Sequence, residues 1–61
     1  MIIRQIPKNI QEYIIVDSET STVLHSNGFI PKYMSTCGDC IFYKKDTKIL
    51  EFMQENNLFA L

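Results

Sequence analysis

The architecture of this chain follows from the segment Ile41-Phe42-Tyr43-Lys44-Lys45-Asp46-Thr47-Lys48-Ile49-Leu50-Glu51-Phe52-Met53. It opens with β-branched and aromatic residues, which are typical of a buried strand. Asp46 then caps a helix, in which Ile49, Phe52 and Met53 recur at the spacing of one apolar face. No more than a residue or two joins the strand to this helix, and so short a link forces the helix back across the sheet that the chain has just left. We therefore expect this helix to pack on the strand Ile41–Tyr43.

The residues before this segment predict a β-hairpin over 29–45. Gly38 suits the first position of a two-residue type II′ turn within Cys37-Gly38-Asp39-Cys40, and that turn pairs Tyr33 with Lys44 and Lys32 with Lys45. Pro31 pushes the first strand of the hairpin to a sheet edge. Alternation divides the apolar side chains into two sets, which are Met34, Ile41 and Tyr43 on one face and Tyr33, Cys37, Cys40 and Phe42 on the other. Because 61 residues do not build three layers, one face is left for a partner.

The N-terminal half supplies a strand at Tyr13–Val16 and an ambiguous segment at 17–28. One interpretation is a helix capped by Asp17 or Ser18 and ended by Asn27-Gly28. The other is a turn at 18–21 and a strand at 22–25. We favour the helix, which gives the order β-α-β-β-α. The predicted fold is α+β, with both helices on one face of a three-stranded sheet of order 2-3-1. The alternative is a four-stranded β-meander followed by the C-terminal helix.

With 61 residues, we expect the chain to form a single small domain over 1–61. A chain of this size buries only about 60% of the surface that its unfolded form exposes, and small domains often add self-association to a limited core. We therefore expect a homodimer. Residues 1–10 are an extra strand or a dimerisation arm, and 58–61 form an apolar tail. The apolar residues that we expect to contribute to the dimer are Ile2, Ile3, Leu58, Phe59 and Leu61.

The charge balance gives a net charge of −1, from six Lys and Arg against seven Asp and Glu. Proteins that bind nucleic acid by phosphate neutralisation normally carry a basic excess. No apolar run approaches the roughly 20 residues that cross a bilayer, and the N-terminus lacks the apolar stretch of a signal peptide. We therefore expect a cytoplasmic protein with reduced thiols, with no membrane association.

Several of these segments together carry a family resemblance, namely Asp17 through Ser26-Asn27-Gly28-Phe29, the strand Phe42-Tyr43-Lys44 and Asp46-Thr47-Lys48-Ile49-Leu50. Over 13–56 the chain resembles a family of short β-α-β-β-α domains of unknown function, found in phages and mobile elements of Gram-positive bacteria. The resemblance implies a first helix that ends in Gly-Phe. It implies no activity, cofactor or binding residue.

Two cysteines at the hairpin tip, Cys37 and Cys40, have the spacing of a zinc knuckle. Structural zinc takes four N or S ligands, and this chain adds only His25, so we expect free thiols and no metal or other cofactor. A dimeric zinc site shared by two hairpin tips is the third functional hypothesis. A thioredoxin-like role is disfavoured because the motif lies between strands, away from a helix N-terminus.

No catalytic constellation is apparent. The single histidine, His25, has serines near it in sequence, but no nucleophile elbow is present. Gly28 and Gly38 stand alone, so no phosphate-binding glycine loop exists. We therefore expect that the protein is not an enzyme.

Four lysines form a further candidate site, because the predicted hairpin gathers them at one end. They are Lys32, Lys44, Lys45 and Lys48. The favoured function is a non-catalytic protein-interaction module, from a phage or mobile element, that binds and modulates a host protein. The alternative is a small DNA-binding accessory protein that uses the lysines. The candidate partner-binding residues are Tyr33, Phe42, Lys32, Lys44, Lys45, Lys48 and Phe59.

Overall fold

The computed structural model describes residues 2–61 and has the predicted order of elements. They are a 3-10 turn at Ile10–Glu12, β1 (Tyr13–Val16), α1 (Ser18–Ser26), β2 (Tyr33–Met34), β3 (Ile41–Lys44) and α2 (Thr47–Glu55). The strand β3 lies between β1 and β2 and is antiparallel to both. The predicted α+β class and sheet order are therefore confirmed. Neither helix is long and apolar enough to cross a membrane, and the described residues contain no other α-helix.

The ambiguous segment is a helix, which excludes the β-meander. The Asp17 carboxylate accepts the backbone N–H of Thr20 at 2.9 Å and so caps α1. Leu24 is fully buried beneath the helix, and this packing outweighs the modest helix propensity of the neighbouring Thr and Ser residues. The chain leaves the helix at Asn27, and Gly28 follows with a φ of 92°, in the left-handed region that glycine favours.

The second helix packs on the sheet as its apolar stripe predicts. Asp46 caps α2 by accepting the backbone N–H of Lys48 at 2.9 Å. Ile49 and Met53 are buried, and the half-buried Phe52 ring lies 5.3 Å from that of Phe29. One core joins both helices to one face of the sheet, and its buried members are Ile14, Val16, Leu24, Ile41, Tyr43, Ile49 and Met53.

The hairpin connection differs from the predicted two-residue turn. Tyr33 pairs with Phe42 and Met34 with Ile41, two positions away from the predicted register. The reason is Ser35, whose backbone N–H donates to the Cys40 carbonyl at 2.8 Å and whose hydroxyl accepts the Cys40 N–H at 3.1 Å. These bonds close a longer loop. Because the shift is even, Met34, Ile41 and Tyr43 stay on one face and Tyr33 and Phe42 on the other, as predicted. Cys37 and Cys40, predicted on the second face, lie in the loop.

The outer edge of β2 is covered by the N-terminal segment. Ile3 forms a parallel bridge with Tyr33, in which its N–H donates to Lys32 and its carbonyl accepts from Met34. Only this one residue of the predicted strand or arm at 1–10 pairs with the sheet, and Met1 lies outside the described residues.

Candidate functional site

The outer edge of β1 is the most open part of the sheet. The Lys45 N–H donates to the Glu12 carbonyl at 3.0 Å, so alternation turns the backbone groups of Ile14 and Val16 toward β3 and those of Ile15 outward. The Ile15 carbonyl accepts the Leu61 N–H at 2.8 Å. That is the one backbone bond to Ile15 from outside β1 and β3 among the described residues. Within residues 2–61 the Ile15 N–H therefore remains for an extended segment to pair with.

A groove lies between this edge and α2, and we call it the β1 groove. It has a volume of about 540 Å³ and is lined by Tyr13–Ile15 of β1, by Leu50, Met53 and Gln54 of α2, by Lys45 and by residues 58–61. Ile14 and Met53 are buried and form its floor. Its rim is apolar and exposed, since Leu50 is 50%, Phe59 79% and Leu61 70% exposed. Among the described residues of the lining, Lys45 has the only charged side chain.

The end of α2 directs the chain along this groove. Asn57 has a φ of 54°, a left-handed conformation that asparagine tolerates better than most residues. The Leu58 N–H then donates to the Met53 carbonyl at 2.8 Å, and the half-buried Leu58 side chain packs against the core. Leu58 and Leu61 thus fix the segment at two points, and Phe59 between them extends into solvent.

The four lysines do not form the compact patch that the predicted register implies. Lys32 no longer faces Lys45, because the register has moved by two residues. Lys44 and Lys45 are consecutive, so the end of the strand directs them to opposite faces. Only Lys45 of the four lines the β1 groove. All four side chains are exposed.

Lys44 already has an acidic partner. Its ammonium lies 2.7 Å from the Glu12 carboxylate and 5.3 Å from the centre of the Tyr13 ring. The hydrogen bond with Lys44 lowers the pKa of Glu12, and the same bond raises the pKa of Lys44. Both side chains are solvent-exposed, so the pair contributes little stability, but it removes one positive charge from the predicted cluster.

The two aromatic candidates on the opposite face of the sheet serve the fold. Phe42 is only 3% exposed, so it has almost no surface to offer a partner. Tyr33 is half-buried, and its ring meets that of Tyr13 edge-on with the centroids 5.5 Å apart. Of the seven predicted partner-binding residues, the β1 groove contains only Phe59 and Lys45.

The thiols lie in the hairpin loop, away from His25 on α1. Cys37 is exposed and donates from Sγ to an Asp39 carboxylate oxygen at 3.3 Å, while Cys40 is half-buried. Within residues 2–61 no three His, Cys, Asp or Glu side chains come together in a metal-binding group. The loop thus provides two of the four ligands that structural zinc requires.

His25 lines a cavity of about 350 Å³ with several hydroxyl groups, but these hydroxyls are engaged. The Ser21 hydroxyl lies 2.8 Å from that of Tyr43, and those of Thr22 and Ser26 donate to helix carbonyls at 2.9 and 2.8 Å. Ser18, the remaining serine of the lining, lies two turns from His25, about 10 Å along the helix axis. No carboxylate lines this cavity, so nothing there orients the imidazole or activates a nucleophile.

The sequence pointed to Phe59 but missed the groove itself. Tyr13 and Ile15 looked like parts of a buried strand, and Leu50 lay on the flank of the helix stripe. The only signal for the groove in the sequence is that Leu50, which is exposed, falls outside the apolar face formed by Ile49 and Met53. No family model, curated protein or solved structure matches this sequence. The resemblance to a phage and mobile-element family therefore stays an expectation.

Proposed function

We propose that this domain is a non-catalytic protein-interaction module that binds its partner in the β1 groove. The observation that carries the proposal is the combination of an outward-facing strand edge with an apolar rim. Backbone groups on such an edge pair with an added strand, and the adjacent apolar side chains provide specificity. The family resemblance adds the expectation that the partner is a host protein of a phage or mobile element.

The energetics of the rim favour burial against another protein. Leu50, Phe59 and Leu61 leave large apolar side chains in water, and fully burying such a side chain contributes about 1.5–3 kcal/mol. These residues adjoin one another around one concave surface, whereas single exposed apolar residues elsewhere are ordinary features of a protein surface.

Affinity capture with paired variants tests the proposal. Leu50→Asp places a charge in the groove, and Val23→Asp makes the same change at an exposed position of α1 outside it. We expect the parent and Val23→Asp to retain the same protein from a lysate and Leu50→Asp to lose it, with circular dichroism showing that all three are folded. Identical capture by all three proteins would contradict binding in the groove.

The alternative of a DNA-binding accessory protein gains no support from the lysines, because Lys44 pairs with Glu12 and the net charge is −1. A mobility-shift assay at low salt separates the two functions. A DNA-binding protein retards duplex DNA in a manner that weakens steeply with salt, whereas we expect no retardation.

A further inference from the structure

We propose that the occupant of the β1 groove is a second copy of this chain, with Phe59 of each copy seated in the groove of the other. This inference rests on the proposed function and deepens it, since it uses the same surface and names a second copy, in place of a host protein, as the partner. Two copies related by a two-fold axis present the same patch to each other, so a projection beside a groove on one copy meets a groove beside a projection on the other.

Phe59 is the projection. It belongs to the lining of the groove, yet 79% of it is exposed, so it does not fill the groove of its own copy. The backbone on either side is held, by Leu58 on Met53 and by Leu61 on Ile15. The ring therefore projects from a fixed backbone. The Phe59 ring of a second copy fills the groove that the ring of its own copy leaves open.

The exposed area agrees with a small interface of this kind. The chain exposes 4439 Å², whereas a compact monomer of 7.1 kDa is expected to expose about 4100 Å². Phe59 alone accounts for about 150 Å² of exposed surface. A standard stable interface takes about 800 Å² from each partner. The excess of about 340 Å² (4439 Å² less about 4100 Å²) is well below this standard, so we expect a weak dimer with a dissociation constant in the micromolar range or above.

Charge does not oppose the pairing. The net charge is −1, and a protein with a net charge near zero resists self-association little. The groove lining, as the described residues form it, holds one charged side chain, Lys45, and no acidic side chain. Two such grooves therefore meet through apolar surface, with one ammonium per copy beside it.

Sedimentation equilibrium of the full chain from about 10 µM to 1 mM tests the proposal. We expect a reversible dimer in the parent. F59D and L50K should each weaken dimerisation by at least about tenfold, because each places a charge in apolar surface. The matched control is I30D, because Ile30 is equally apolar and 73% exposed but does not line the groove. It should dimerise like the parent.

Mixing the two variants makes the test specific for the contact. In a heterodimer of F59D and L50K, one half keeps the native Phe59–Leu50 contact and the other half brings a carboxylate to an ammonium. We therefore expect the equimolar mixture to dimerise where neither variant does alone. A mixture that stays monomeric, or an I30D variant that is weakened as much as F59D, would overturn the seating of Phe59.

A parent chain that sediments as a monomer throughout this range would overturn the second copy as the occupant. That result would leave the proposed function open to its own test, since the capture experiment compares Leu50→Asp with Val23→Asp. Loss of capture in that comparison identifies a different protein in the groove. Unchanged capture removes the groove as a binding site altogether.

Discussion

Tyr43→Phe should destabilise the domain more than Ser21→Ala, although one hydrogen bond joins the two side chains. Tyr43 is 1% exposed, and its hydroxyl lies 2.8 Å from Ser21 Oγ and donates to the Ser21 carbonyl at 3.1 Å. Tyr43→Phe leaves the buried Ser21 hydroxyl without this partner. A buried polar group without a partner costs about 1–3 kcal/mol, and we expect a loss of about 2 kcal/mol in the free energy of unfolding.

Ser21→Ala leaves Tyr43 bonded to the Ser21 carbonyl and replaces serine by a better helix former. Its expected cost is below about 1 kcal/mol. The double variant no longer has an orphaned hydroxyl, so it should be more stable than Tyr43→Phe alone, with a coupling of about 1 kcal/mol.

Urea titrations of the parent, both single variants and the double variant give the four free energies of this cycle. The expected loss for Tyr43→Phe is large compared with the roughly 3–5 kcal/mol of stability that a core of this size supplies. The urea midpoints of this variant and of the parent should therefore separate clearly. The reasoning is wrong if Tyr43→Phe unfolds with the parent, or if the effects of the two substitutions simply add.

Three further predictions concern pH, the core and the hairpin loop. Burial raises the pKa of Tyr43, so the folded state holds the phenol proton more tightly than the unfolded chain. The contribution of this phenol to stability is then constant below about pH 10 and falls above it, and thermal melting should show a smaller alkaline decline for Tyr43→Phe. Phe52→Ala removes a half-buried ring that packs on Phe29. It should cost about 2–3 kcal/mol in urea unfolding, less than the 3–5 kcal/mol of a fully buried ring, and a melting curve equal to that of the parent would show that α2 is not docked through this ring. Gly38→Ala places a Cβ at a φ of 80° and should cost about 1 kcal/mol, while Thr36→Ala in the same loop should melt like the parent.

Much of the fold could be predicted because its signals are local. Asp46 and the stripe of Ile49 and Met53 define α2, and the short link before it leaves the helix one direction to turn. The position of β3 at the centre of the sheet follows from apolar residues on both of its faces, Phe42 on one and Tyr43 on the other. Each of these patterns acts within a few residues of its consequence.

The hairpin loop and the groove could not be predicted because they depend on less local contacts. Gly38 does adopt a positive φ, but the loop is set by Ser35, which captures the backbone N–H of Cys40. The groove depends on where the chain goes after Asn57. The residue types of 58–61 do not predict the hydrogen bond between Leu61 and Ile15, so the open edge of β1 became apparent only in the structure.

The two outer edges of the sheet are covered by different numbers of backbone hydrogen bonds, and this difference affects how the protein will behave in storage. Ile3 holds the edge of β2 with two backbone hydrogen bonds, whereas Leu61 holds the edge of β1 with one. Segments held this lightly open locally at far lower free energy than the whole domain unfolds. Such opening uncovers Tyr13–Val16, a β-branched strand edge of the kind that templates intermolecular pairing. Slow aggregation of native protein should therefore begin at β1, at temperatures well below the melting transition.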